Sequence, residues 1–201
     1  MLLKIFYIVV LSTSLSWAQF NDKSADSTFK IEDYWEVELA PLSDLNQVVS
    51  YIHNDPFNYL FIENIPGGNP LERDIAVNSH YGARKHPVHK VLKFHRGIDL
   101  AGKNGEFVVA SGKGVVIDTG FQADLGNYVK VKHKYGFESI YGHLSKITVK
   151  KGQEVLKDMR IGKVGSTGKV TGPHLHYTLK KNGEYLDPFD FLFMKFESEH
   201  H

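Results

Sequence analysis

The chain has 201 residues, 42% of them hydrophobic and none of them cysteine. This is enough apolar material for one packed core with an appendage, so disorder is not the default, and a disulfide framework is excluded. A formal charge of +1 and a pI near 7.9 give no strong pull toward nucleic acid, and no nucleic-acid partner is expected.

Residues 1–18, MLLKIFYIVVLSTSLSWA, carry a positive charge at Lys4, an apolar run from Ile5 to Leu15 and small residues at Ser16 and Ala18. This is the layout of a cleavable export signal, and the run falls short of the roughly 18 to 20 residues that span a bilayer. The mature chain is expected to start near Gln19, in the periplasm or outside the cell, with no stable membrane insertion. An uncleaved anchor is the alternative. No cysteine follows the signal, which excludes attachment through an N-terminal thioether.

Residues 19–77 read as a short N-terminal extension of unassigned role. NDKSADSTFK is polar, and Ser43 is placed to cap a helix over LNQVVSYI. IPGGNP then punctuates the chain, because Pro66, Gly67, Gly68 and Pro70 cannot continue regular structure, and a domain boundary is expected there.

Residues 78–192 change character. EFVVA, KGVVIDTG, NYVKVKHKYG, FESIYGHL, ITVKKG, RIGKVGSTG, HLHYTLKKNG and EYLDPFDFL follow one another as short apolar runs bounded by glycines, which predicts a mainly β, antiparallel domain. VKVKHK over Val129–Lys134 alternates strictly, with Val129 and Val131 on one face and the lysines on the other. Tyr135-Gly136 and Asn182-Gly183 read as hairpin turns. Lys130, Lys132, Lys134, Lys150 and Lys151 suit solvated strand edges, with an anionic polymer as the competing use. Residues 193–201 form a tail whose terminal His200 and His201 are set aside.

Among the other histidines, His53, His80, His89 and His133 have no partner at an informative spacing and read as surface or hydrogen-bonded residues. FHRGIDLAG holds His95 and Asp99, SIYGHLS holds His143, and TGPHLHYTL holds His174 and His176. Residues i and i+2 of a strand point to the same side, so the rings of His174 and His176 face one cavity. Core packing is a poor explanation for such a pair, because an unpartnered imidazole carries a desolvation cost of about 1 to 3 kcal/mol. A catalytic zinc ion needs three protein ligands and an open fourth position. Four histidines and one aspartate are available for those places, and spacing alone leaves open which are ligands and which move protons.

These blocks resemble the lysostaphin-type, or LytM-like, zinc metalloendopeptidases that cut peptidoglycan. The resemblance covers residues 78–192 in order, through YGARKHP, HRGIDLAG, YGHLSKITVKKGQEV, IGKVGSTGKVTGPHLHYTL and LDPFDFL. It implies an antiparallel sandwich of the LytM type, a duplicated hybrid motif, with one zinc ion per chain. It further implies that His95, Asp99 and His176 bind the metal, and that His143 and His174 are the catalytic pair that handles protons and developing charge. The substrate implied is a peptidoglycan peptide, and a monomer is expected. Gly162, Gly165, Gly168 and Gly172 are read as tight turns that let backbone approach an extended substrate, with ordinary hairpin punctuation as the equal alternative, and Pro173 as stiffening the strand that follows. Two departures from the family pattern stand out: Asp158-Met159 where a glycine turn is frequent, and Thr178 where an acidic residue is frequent. Neither is expected to touch the chemistry.

Three other functions compete with this one. A regulatory binding module that activates other wall hydrolases is disfavoured because all five site residues are present. A lipoyl- or biotinyl-type carrier needs a lysine at a hairpin tip in a short acidic-Lys-small motif, and none is convincing. A latent enzyme, in which residues 19–77 lie over the cleft, is motivated by that segment adjoining the first site block.

Overall fold

The computed structural model describes residues 63–85 and 92–193, together with Gln47 and Ser50, both helical. The expected export signal, the body of the Ser43-capped helix, His53, His89 and the tail beyond residue 193 lie outside the described residues.

Among residues 63–85 and 92–193, thirteen strands and one short helix follow in chain order. They are β1 (Val77–Ser79), β2 (Gly82–Lys85), β3 (Leu92–His95), β4 (Ile98–Ala101), β5 (Phe107–Val109), β6 (Gly114–Gln122) and β7 (Gly126–Lys132). There follow β8 (Phe137–Leu144), β9 (Lys146–Ile147), β10 (Glu154–Val155), β11 (Arg160–Lys163), β12 (His174–Lys181), β13 (Glu184–Leu186) and α1 (Phe189–Leu192). The large sheet runs β1-β4-β12-β8-β7-β6-β10, with β13 pairing β12, and a smaller sheet runs β5-β11-β9. β2 and β3 form a separate hairpin. All these pairings are antiparallel.

Alternation builds the core. Val129 and Val131 of β7 are fully buried, as are Leu175, Tyr177 and Leu179 of β12, Tyr141 of β8 and Ile98 and Leu100 of β4. All but Leu179 join Val108 of β5 and Ile161 of β11 from the smaller sheet in one apolar cluster. Each such aliphatic or aromatic side chain contributes about 1.5–3 kcal/mol on burial. Because the period is two, the residues between them on β12, including His174 and His176, face the opposite side. Both expected hairpin turns are present, with positive φ at Tyr135 (59°), Gly136 (76°), Asn182 (51°) and Gly183 (88°).

The packed body reaches upstream of residue 78. Ile65 and Leu71 are 1% and 2% exposed, Leu71 bridges Val108, and the Pro70 carbonyl accepts from the Val109 amide, so the packed body already includes residues 63–71. The prolines and glycines of IPGGNP turn this strap without detaching it.

Beneath the large sheet, a buried run of polar groups crosses the core. His133 Nε2 lies 2.7 Å from Ser139 Oγ, which lies 3.0 Å from the Tyr141 hydroxyl. Ser111 Oγ joins that hydroxyl (2.9 Å) to the one on Tyr177 (2.8 Å). Each buried group finds a partner, which avoids the heavy cost of an unmade hydrogen bond.

His133 carries a pH consequence. Burial pushes its imidazole down from 6.5 to about 4, against a smaller opposite effect of the Lys113 carbonyl, which accepts from Nδ1 at 2.8 Å. The unfolded chain therefore binds this proton at higher pH than the folded one. The contribution of neutral His133 to stability is complete above about pH 6.5 and is lost as pH falls toward 4, a change of roughly 3 kcal/mol at most. Urea unfolding measured from pH 7 to pH 4 is expected to show a shallower loss of stability in His133→Gln than in the wild type.

Candidate metal and catalytic site

The register of the large sheet assembles the site. His176 of β12 pairs Asp99 of β4 on one side and Gly142 of β8 on the other, and His174 pairs Ala101. Two segments far apart in sequence thus present a carboxylate and an imidazole as direct cross-strand neighbours. His95 ends β3, where it pairs Gly82 of β2, and its side chain reaches the same point.

Three donor atoms converge. His95 Nε2 lies 3.2 Å from His176 Nδ1 and 3.2 Å from Asp99 Oδ1, and His176 Nδ1 lies 2.8 Å from Asp99 Oδ1. Tetrahedral zinc with ligand bonds near 2.1 Å sets its donors about 3.4 Å apart, so this compact face of two imidazoles and one carboxylate fits the ion. Among the described residues these are the one His/Cys/Asp/Glu group that meets the geometry of a metal site. His95 is held with Nε2 inward because its Nδ1–H donates to the His80 carbonyl at 2.8 Å.

Electrostatics favour a charged carboxylate here. Burial alone would raise the pKa of Asp99, but the His176 and His95 imidazoles beside it outweigh that and hold the carboxyl well below the usual range. Burial lowers the pKa of His176, with Asp99 opposing. Arg84 of the β2–β3 hairpin adds a positive charge 3.5 Å from Asp99 Oδ2 and is fixed by a 2.6 Å bond to Ser79 Oγ.

His143 and His174 stand beside this face. Their ring centroids are 4.7 Å apart, and His143 is 5.6 Å from His176. His174 Nε2 is 3.6 Å from Asp99 Oδ1. Each is anchored through Nδ1, His143 to the Thr167 carbonyl at 2.9 Å and His174 to the Gly172 carbonyl at 2.9 Å. A carbonyl can only accept, so Nδ1 carries the proton and Nε2 keeps its lone pair in the neutral ring. Burial first, then the His174 and His176 rings, push His143 down to about 4, which keeps it neutral at neutral pH.

His143 has a positive φ of 61°, a conformation that costs a non-glycine residue about 1–3 kcal/mol. Its surroundings enforce it. The His143 amide donates to the Leu125 carbonyl at 2.7 Å, while the side chain is held by Thr167 as above. Thr167 is in turn locked, its hydroxyl accepting from the Asn127 amide and donating to the Leu144 carbonyl, both at 2.9 Å. Gly168, at φ 78°, lets this loop press against β7: a Cβ there would come within 2.3 Å of the Gly126 nitrogen. The tightness at Gly168 therefore serves contact between this loop and the start of β7.

All five histidine and aspartate positions singled out in the sequence are brought together, and three further residues were missed. Thr167 and Arg84 carried no signal beyond lying in quoted blocks. Thr178 was expected to stay clear of the chemistry, yet its Oγ1 is 3.1 Å from His176 Nε2. The strand period could have found it, because residue 178 shares a face with residue 176. At the other departure the turn survives without glycine: Asp158 adopts φ 64°, which aspartate tolerates better than most residues.

Comparison with known proteins gives a consistent picture. Residues 93–188 match the model of Peptidase family M23. The chain is 45% identical over 115 residues to the peptidoglycan DD-endopeptidase ShyA of Vibrio cholerae, covering 57% of this chain and 27% of that protein. The chain spans about a quarter of the length of the curated relatives it matches. Among solved structures it is similar to a zinc-containing peptidase from Vibrio cholerae, with a TM-score of 0.57 and 35% identity over 60% of this chain and 39% of that one. It is also similar to the catalytic domain of the prophage-encoded M23 protein EnpA from Enterococcus faecalis, with a TM-score of 0.53 and 32% identity over 61% of this chain and 95% of that one.

The loop lock around His143 is open to measurement. Gly168→Ala meets both the positive φ and the Gly126 backbone, and is expected to lower stability by about 1–3 kcal/mol in chemical denaturation.

Proposed function

Because residues 93–188 place this chain in peptidase family M23, we propose that it is an exported zinc metalloendopeptidase that hydrolyses peptide bonds in peptidoglycan stem peptides or cross-bridges. The observation that carries this reading is the triangle of His95 Nε2, Asp99 Oδ1 and His176 Nδ1, whose spacing and donor types suit a zinc ion. The relative ShyA is named as acting on peptidoglycan, which supports that substrate class. Residues 1–18 support export and hence action in the cell envelope, with the chain working as a monomer.

In this mechanism His95, Asp99 and His176 hold the zinc. When bound, the ion supplies Lewis-acid activation of a water molecule and of the scissile carbonyl. The remaining work belongs to side chains. Hydrolysis adds the water oxygen to the carbonyl carbon, breaks the C–N bond and delivers a proton to the departing nitrogen. His143 and His174 both turn a lone-pair Nε2 away from their carbonyl anchors, so either can take the proton from water. The partner, once protonated, stabilises negative charge on the carbonyl oxygen or returns a proton to the amine. Their 4.7 Å separation allows the two tasks to be divided across one reacting group. Asp99, kept ionised by its histidine neighbours, adds a negative ligand that favours cation retention.

A regulatory module that activates other hydrolases would not need this complete set, and one experiment separates the two readings. Purified peptidoglycan is incubated with the wild type, His174→Ala and His176→Ala, and each protein is analysed for metal. His176→Ala is expected to lose both zinc and activity. His174→Ala is expected to keep its zinc while turnover falls about 100- to 10,000-fold. Undiminished digestion by both variants with unchanged zinc would refute the enzyme reading in this form.

A further inference from the structure

We propose that Thr178 is a positioning residue for the metal: its hydroxyl accepts a hydrogen bond from the proton that His176 must carry on Nε2 when it offers Nδ1 to zinc. The inference rests on the zinc reading above and deepens it.

The two nitrogens of His176 face different partners. Nδ1 points into the donor triangle, 2.8 Å from Asp99 Oδ1, and Nε2 points the other way, 3.1 Å from Thr178 Oγ1. A neutral imidazole has one proton to place. Without a cation, the carboxylate is the stronger acceptor, so the proton sits on Nδ1 and Nε2 accepts a hydrogen bond from Thr178. A cation at the triangle needs the Nδ1 lone pair, and the proton must then reside on Nε2. The hydroxyl meets both demands, since it is a donor in the first state and an acceptor in the second. It changes role by rotating its hydrogen, with no heavy atom displaced.

The surroundings hold this pair in place. Thr178 is 3% exposed, and its β-branched side chain has few rotamers in a strand. It pairs Ile140 across to β8, one pleat along from the His176–Gly142 pair. Gly97 closes the site from the side. A Cβ there would lie 2.7 Å from Thr178 Oγ1 and 2.8 Å from His176 Cε1, so bare backbone is what allows ring and hydroxyl to lie together. Removing the hydroxyl takes away the partner that the fold supplies to Nε2.

Zinc affinity of the full-length chain, measured by competition with a chromophoric chelator, tests this directly and without peptidoglycan. Thr178→Val, which keeps the shape and removes the hydroxyl, is expected to weaken zinc binding about 10- to 100-fold. Thr178→Ser is expected to restore affinity to within about threefold of wild type, since it keeps the acceptor. In nitrogen-15 spectra of the wild type, zinc addition is expected to move the His176 proton from Nδ1 to Nε2. Equal zinc affinity in Thr178→Val and wild type overturns the inference and leaves the peptidase reading intact. A wild-type spectrum in which Nδ1 keeps its proton with zinc bound overturns the inference and also removes His176 Nδ1 from the ligand set, a result available even if the valine variant does not fold. A wild-type chain that binds no zinc overturns the peptidase reading itself, and this inference with it.

Discussion

The cross-strand row Asp99–His176–Gly142 is the constraint on which the rest depends. Antiparallel pairing fixes which residues stand opposite, and a slip of one residue would turn every side chain of β12 to the other face. The slip is prevented from the core side. Leu175, Tyr177 and Leu179 are fully buried there, so moving them outward would forfeit the burial that holds the sandwich together. Hydrophobic packing on one face of β12 therefore sets the coordinates of the polar chemistry on the other.

Around that row, the site is built from backbone carbonyls as much as from side chains. His80, Thr167 and Gly172 each contribute a carbonyl that accepts from an imidazole Nδ1, and each thereby decides which nitrogen is left for work. A carbonyl has no proton to give, so the choice is unambiguous. His176 is the exception, anchored by a hydroxyl that can act either way. The strained backbone of His143 belongs to the same design, because a relaxed φ at that position would swing the ring away from Thr167.

The sequence was most informative where a local period carries the message. VKVKHK reads as a half-buried strand from its alternation alone, and HLH puts two rings on one side by the same rule. Long-range register is different. That Asp99 stands opposite His176 depends on turns and packing spread over the intervening chain, and no window of sequence contains it. Thr178 was misjudged because it was weighed as a departure from a family pattern when its strand neighbours mattered more. IPGGNP illustrates another limit: its turn residues resemble a linker, yet Ile65 within it is buried. Turn chemistry reports where the backbone bends and says nothing about what the side chains cover.

The strap at residues 63–71 and the two strands that follow it separate homology from foldability. The family match begins at residue 93, yet the sheet edge β1, the His80 carbonyl that orients His95 and the Arg84 charge all lie before it. Farther upstream, Ile65 and Leu71 close the apolar layer, and the Pro66 carbonyl lies 3.4 Å from the hydroxyl of Tyr177, the residue next to His176. A piece excised at the edge of the sequence match would carry the three ligand side chains but neither the support of the first ligand nor the cover of the core. The segment that the family model matches is thus smaller than the packed body that supports the site, and transplanting this chemistry between proteins requires the larger one.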